Sequence, residues 1–250
     1  MVMQFAPIVP IKYLNELATL SNTQLVLSHW LAEPKYLTFY KSRRKEGDII
    51  ILDNGACELE ESVPIEDLLN SYIALGGASI VVIPDTLVGD NIKLIKSFET
   101  YIPEFKKLNE EVHFMVVPHN LEEIMEVARI PYVDIIGLNK DFERERRAKL
   151  ISNLIASGVE KNFHLLGIYR NPVKEVQGVF QFRERITGVD SSMPYRIART
   201  GRRIEEYRPY PGQIDLYEKR LNTTLLNHVI SEITWFCEFV REGEPQQSGR

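Results

Sequence analysis

Residues 49–85 read I-I-I-L-D-N-G-A-C-E-L-E-E-S-V-P-I-E-D-L-L-N-S-Y-I-A-L-G-G-A-S-I-V-V-I-P-D. The runs Ile49 to Gly55 and Ile80 to Asp85 are apolar on both faces until their last residues, so neither has a side that could face water. Between them, Pro64 to Leu75 reads as an amphipathic helix with proline in its first turn, ended by Gly76 and Gly77. Two doubly buried strands joined by a helix form a parallel pair, because a parallel crossover needs a helix-length connection and places helices on the sheet face.

The same unit recurs in both directions along the chain. Strand-like runs are expected at Phe5 to Val9, Leu25 to His29, Phe114 to His119, Val133 to Asn139, Phe163 to Tyr169 and Ile186 to Asp190. Helices are expected over Ile11 to Leu20, Pro34 to Lys45, Asn91 to Leu108, Leu121 to Arg129, Phe142 to Ser157, Pro172 to Phe182 and Leu216 to Val240. Eight such units in 250 residues match a closed (β/α)8 TIM barrel better than an open doubly wound sheet. An open sheet binding a dinucleotide would want a G-x-G-x-x-G turn, and none is present. One domain over residues 1–240 is expected, without a zinc subdomain, followed by a frayed polar tail over 241–250.

The composition narrows the class further. An apolar content of 44% supplies a sizeable core, and no apolar run approaches membrane-spanning length. Two cysteines, Cys57 and Cys237, can build neither a disulfide framework nor a four-ligand zinc knuckle, so a reducing compartment, the cytoplasm, is expected, and no membrane partner. A net charge of -5 argues against a protein coated in basic residues. Local charge differs: between Arg183 and Arg208 seven arginines face four acids.

In a barrel the chemistry lies at the C-terminal strand ends. Those positions hold His29, Asp53, Asp85, His119, Asn139, Tyr169 and Asp190. Each alone has an ordinary explanation as a turn or capping residue; their convergence on one rim points to a site. Isolated ligands without H-x-H or H-E-x-x-H give little support to a metal, so none is expected, and no cofactor. Lys140 could form a Schiff base, or pair with Asp141 or Glu143 at the surface. Cys57 reads as a buried small residue. The stretch Ile186 to Arg203, I-T-G-V-D-S-S-M-P-Y-R-I-A-R-T-G-R-R, ends a strand on Asp190 and follows it with Arg196, Arg199, Arg202 and Arg203, an acid for chemistry beside guanidinium groups for an anion.

From about Asp53 to Arg203 these strand ends resemble the guanine transglycosylases, (β/α)8 barrels that exchange guanine for a 7-deazaguanine in nucleic acid. D-N-G-A-C-E at Asp53 is similar to the family's D-S-G-G-F-Q, V-V-I-P-D carries Asp85 at the base-reading acid, and D-I-I-G-L-N places Gly137 and Leu138 at its glycine-leucine pair. L-L-G-I at Leu165 to Ile168 resembles L-M-G-V, and Asp190, Pro194, Arg196 and Arg199 fit D-x-x-x-P-x-R-x-x-R without a gap. The tRNA enzymes' C-x-C-x-x-C cluster is missing, and Pro118 and His119 stand where a base-reading glutamine is expected. A short zinc-free chain of this kind looks more like the DNA-modifying branch that inserts preQ0-like bases.

The resemblance implies Asp190 as nucleophile at C1′ and Asp53 as acid/base. It implies Asp85, His119, Gly137, Leu138, Gly167 and Tyr169 around the base, with Tyr169 stacking. Arg196, Arg199, Arg202 and Arg203 would hold phosphates, with DNA favoured over tRNA as partner. The alternatives are tRNA exchange, a sugar-phosphate enzyme of aldolase-like or metal-dependent type, and an idle nucleic-acid-binding barrel. Oligomeric state is left open.

Overall fold

A computed structural model describes residues 3–86, 90–140, 142, 147–168, 171–206 and 220–243. All eight expected strands form: β1 Gln4–Pro7, β2 Thr23–Leu27, β3 Ile49–Asp53, β4 Ile80–Val82, β5 His113–Val116, β6 Ile135–Leu138, β7 Asn162–Leu165 and β8 Ile186–Ser191. They are parallel in the order β1-β8-β7-β6-β5-β4-β3-β2. The first and last strands of that order, β1 and β2, lie against each other, so the sheet is a nearly closed (β/α)8 barrel. Ser21, just before β2, helps to join this seam by donating its hydroxyl to the Phe5 carbonyl of β1 at 2.5 Å.

The helices are α1 Leu14–Leu17, α2 Pro34–Lys45, α3 Ala56–Leu59, α4 Ile65–Leu75, α5 Asn91–Ser97, α6 Ile102–Lys106, α7 Leu121–Val127, α8 Arg147–Ala156, α9 Pro172–Val179, α10 Met193–Ala198 and α11 Thr223–Glu242. Side-chain caps set several starts: Asp90, Asn120, Asn171 and Asn222 each accept from the backbone N–H three residues on. The expected helix over 91–108 is instead α5, a 3-10 turn over Phe98–Tyr101, and α6, with Pro103 in the first turn of α6, where its missing N–H costs least. At the C-terminus the helix outlasts the expected boundary at Val240. Arg241 and Glu242 are helical, and the chain leaves the helix at Gly243, whose φ of 82° lies in the left-handed region that ends helices. The expected helix residues 143–146 and 216–219 lie outside the described residues.

Burial separates the two faces of the strands. Ala6, Leu25, Leu27, Ile51, Ile80, Val82, Met115, Val117 and Ile135 form one apolar cluster inside the barrel. Val26, Ile50, Leu52, Val81, Phe114 and Ile136, their alternating neighbours, join the larger cluster beneath the helices. This period of two decides which polar residues reach the interior. Continued along the strands, it places Asp53, Gly137, His164, Gly188 and Asp190 inward.

Candidate active site at the C-terminal rim

Asp53 and Asp190 end strands on either side of the barrel seam. Asp53 is in register with Leu27 and Asp190 with Ala6, so each carboxyl rises from the last inward position of its strand. Asp190 is buried and held from two directions: Gly167 donates its backbone N–H to Oδ1 at 3.1 Å, and His164 Nε2 lies 3.1 Å from Oδ2. His164 stands one turn of the pleat below, on β7, also buried. Its Nδ1 is 3.1 Å from Thr187 Oγ1, which lies 3.1 Å from the Phe163 carbonyl. Gly188 makes room for the ring: a Cβ there would stand 3.3 Å from His164 Cε1 and 2.7 Å from the Gln4 carbonyl oxygen.

Asp53 is half-buried, and its Oδ2 accepts from Gly55 N–H at 2.9 Å. Its carboxyl is pushed up to about 8, first by burial and then by the negative charge of Glu58, with Asp190 and Asp85 adding to the push and Gly55 N–H opposing it. These charges act on Asp53 because the loop after β3, the end of β4 and the end of β8 share one bowl. At neutral pH Asp53 carries a proton.

Asp85 is buried at the same rim, with Asn54 Nδ2 donating to Oδ1 at 2.6 Å and His119 Nε2 2.9 Å from Oδ2. Asn54 also donates to the Ile83 carbonyl at 2.8 Å, and Ser62 donates to the Asp85 carbonyl at 2.8 Å. Behind them Glu123 Oε2 accepts from His119 N–H at 3.0 Å and from Asn91 Nδ2 at 2.9 Å, binding the ends of β4 and β5 to α5 and α7. The acid expected to read a base is thus part of an Asn54–Asp85–His119 array. Among the described residues each of its carboxylate oxygens has one such partner.

Arg147, the first residue of α8, is buried and staples two strand ends. Its guanidinium donates to the carbonyls of Leu138 at 2.8 Å, Leu166 at 3.0 Å and Gly167 at 3.0 Å, and pairs with Glu175 on α9. The Leu138 carbonyl also accepts from Leu166 N–H at 3.0 Å, so both its lone pairs are engaged within the protein, and its side chain packs beneath the helices. Gly137 faces inward, where a Cβ would stand 2.8 Å from Leu166 Cδ1 and 3.1 Å from Val117 Cγ2. Gly167 directs its N–H to Asp190.

The arginine run divides between the two ends of the barrel. Arg183 and Arg185 precede β8 at the opposite face, where Arg185 donates to the carbonyls of Val159 and Lys161 at 2.9 and 2.8 Å. Arg196 and Arg199 follow β8 on or just past α10. Both are half-buried, and Arg196 shields its Nε and Nη2 from solvent. Arg202 is exposed, and Arg203 pairs with Glu205 at 2.9 Å. Contacts to α11 seat this segment: His228 Nε2 lies 3.0 Å from the Arg202 carbonyl, and Glu232 accepts from Ile204 N–H at 2.8 Å.

Other expected site residues fall as follows. His29 lies in a 3-10 turn past β2, with Nδ1 buried and its ring lowered from the usual histidine range by burial. Lys140 is exposed at the rim, and its charge acts on Cys57 and Glu58. Cys57 is exposed, which corrects the expected buried residue: it lies on α3, a short helix with no buried residue. Asn139 is half-buried; Tyr169, Asp141 and Glu143 lie outside the described residues. Among the described residues no three His, Cys, Asp or Glu side chains are grouped so as to hold a metal ion, and no helix is long and apolar enough to cross a membrane. His164, Asn54 and Arg147 were absent from the sequence reading of the site. His164 sits inside an apolar run, and only the strand parity signals that it faces Asp190.

Fold and site together define a (β/α)8 barrel with three carboxyl groups gathered in the bowl at its C-terminal rim. No protein-family model and no curated protein matches the chain. Among solved structures it is similar to a crystal structure assigned to a dihydrodipicolinate synthetase from Pseudomonas aeruginosa, at 11% identity and a TM-score of 0.49, covering 96% of this chain and 100% of the other.

Proposed function

We propose that the protein is an enzyme exchanging guanine for a 7-deazaguanine base in nucleic acid, most readily DNA, through a covalent glycosyl–aspartate. The observation that carries this reading is the pair of rim carboxyls with different environments: burial and Glu58 push Asp53 up to about 8, while Asp190 is held at both oxygens, by Gly167 N–H and by His164. An acid and a nucleophile set apart in this way are what a retaining double displacement requires.

In the first step an Asp190 oxygen bonds to C1′, the glycosidic C–N bond breaks, and Asp53 gives its proton to the departing guanine. In the second, Asp53, now a carboxylate, takes a proton from the incoming base, whose nitrogen bonds to C1′ and releases Asp190. Proton transfer by a well-placed group contributes roughly 10² to 10⁴ in rate. Asp85 accepts from the N1–H and 2-amino groups of guanine through its remaining lone pairs, beside His119 and Gly137. The target base leaves its stack at a cost of a few kcal/mol in a duplex, and Arg196, Arg199, Arg202 and Arg203 hold the flanking backbone.

The test is incubation of wild type and Asp190→Asn with labelled guanine and either duplex DNA or tRNA. Label entering one polymer with wild type and neither with Asp190→Asn, together with a denaturant-resistant adduct seen only with wild type, is the expected result. Wild type that exchanges no guanine in either polymer, or an active Asp190→Asn, overturns the proposal.

A further inference from the structure

We infer that His164 is a positioning residue for Asp190, keeping an Nε2–H beneath Oδ2 that holds the carboxylate aimed into the bowl, with the Thr187 hydroxyl directing its own proton to suit the ring. The inference rests on Asp190 being the acid that reacts. It follows from counting protons among the described groups that touch the ring. Thr187 Oγ1 has one proton and two neighbours, His164 Nδ1 and the Phe163 carbonyl, both at 3.1 Å.

If Thr187 donates to Nδ1, the ring's own proton is on Nε2 and points at Asp190. If Thr187 donates to Phe163 instead, Nδ1 must carry a proton to bond Oγ1, and Nε2 can face an ionised carboxylate at 3.1 Å only when it is protonated as well. Both settings of the hydroxyl therefore place an Nε2–H against Asp190. The remaining arrangement, a proton on Asp190 and a bare Nε2, would leave the acid unable to attack.

Geometry reinforces the assignment. His164 and Asp190 are 1% and 3% exposed, so water cannot replace either partner. Gly167 N–H restrains the other oxygen, which leaves the carboxylate no rotation that keeps both bonds. Gly188, lacking a Cβ, leaves room for both the ring and the neighbouring Gln4 carbonyl. The same imidazole would support the leaving of Asp190 in the second step, since a donor at Oδ2 stabilises the carboxylate as it reappears.

Two measurements test this on the full chain. In ¹⁵N-histidine spectra, with His164 assigned by its loss in His164→Gln, Nε2 is expected to be protonated, with a slowly exchanging proton whose resonance moves in Asp190→Ala. A bare Nε2 in wild type, or a resonance indifferent to Asp190→Ala, overturns the inference, and this arm stands whether or not guanine is exchanged. In turnover, His164→Leu is expected to lower kcat about 10- to 100-fold with KM changed less than about threefold, the loss of one hydrogen bond to a charged group. His164→Gln, which keeps an N–H near Oδ2, should recover most of that loss. Folded His164→Leu with wild-type kcat, or folded His164→Gln no better than His164→Leu, overturns it; absence of exchange in wild type instead defeats the base-exchange reading and leaves the spectral result to decide.

Discussion

Replacing Asp53 by Asn should make the protein more stable at neutral pH and nearly inactive. The folded-state carboxyl is pushed up to about 8 from an ordinary value of 3.8, by burial first and by Glu58 next. Between those values the unfolded chain is ionised at Asp53 while the folded chain keeps the proton. The folded state thus binds more protons, and the contribution of Asp53 to stability falls as pH rises through this window. Its unfavourable effect is absent below about pH 4, grows to pH 8, and is constant above it. About three pH units at ~1.4 kcal/mol each give a ceiling of about 4 kcal/mol at pH 7. Because Asp53 retains contact with solvent, roughly half of that, ~2 kcal/mol, is the expected gain. Asparagine preserves the acceptor for Gly55 N–H and removes only the titration. Urea unfolding of both proteins at several pH values from 4 to 9 reads the effect: the two stabilities coincide near pH 4 and diverge toward pH 8, with the variant higher. A difference that does not change with pH, or a variant less stable at pH 7, would refute the reasoning. In the same variant exchange should drop by roughly 10² to 10⁴, and the wild-type rate should fall on the alkaline side as Asp53 loses its proton through about pH 8.

Arg147→Lys should cost about 3–5 kcal/mol in urea unfolding, because an ammonium cannot serve the Leu138, Leu166 and Gly167 carbonyls and Glu175 together, and Glu175 is left poorly paired. A loss under about 1 kcal/mol would show that the staple is dispensable. Gly188→Ala presses a methyl against the Gln4 carbonyl and the His164 ring, and should destabilise by about 1–3 kcal/mol, read as a fall of several degrees in Tm. Arg202→Ala and Arg203→Ala should each reduce the slope of log affinity against log salt for DNA by about one; unchanged slopes would place the polymer elsewhere.

The alternation of doubly apolar runs with amphipathic stretches determined a parallel sheet covered by helices, since a strand without a polar side must be covered on both faces, and the count of eight units favoured its closure into a barrel. Asp53, Asp85 and Asp190 were legible for a related reason: a carboxyl closing an apolar run stands out against its neighbours and falls at the rim. His164 was not, because it lies within a run rather than at its rim end, and its partner Asp190 is 26 residues away on another strand. Asn54 and Arg147 were hidden likewise, their partners set by strand adjacency rather than spacing: Asn54 reaches Asp85 across 31 residues, and Arg147 reaches Glu175 across 28. The arginine run shows the converse. Continuous in the sequence, it is parted by β8, which carries Arg183 and Arg185 to one end of the barrel and Arg196 to Arg203 to the other. Local pattern sets which residues are buried and where elements begin; which of them meet is decided by closing the sheet, when the last inward positions of β3 and β8 come together in a bowl that raises the Asp53 carboxyl.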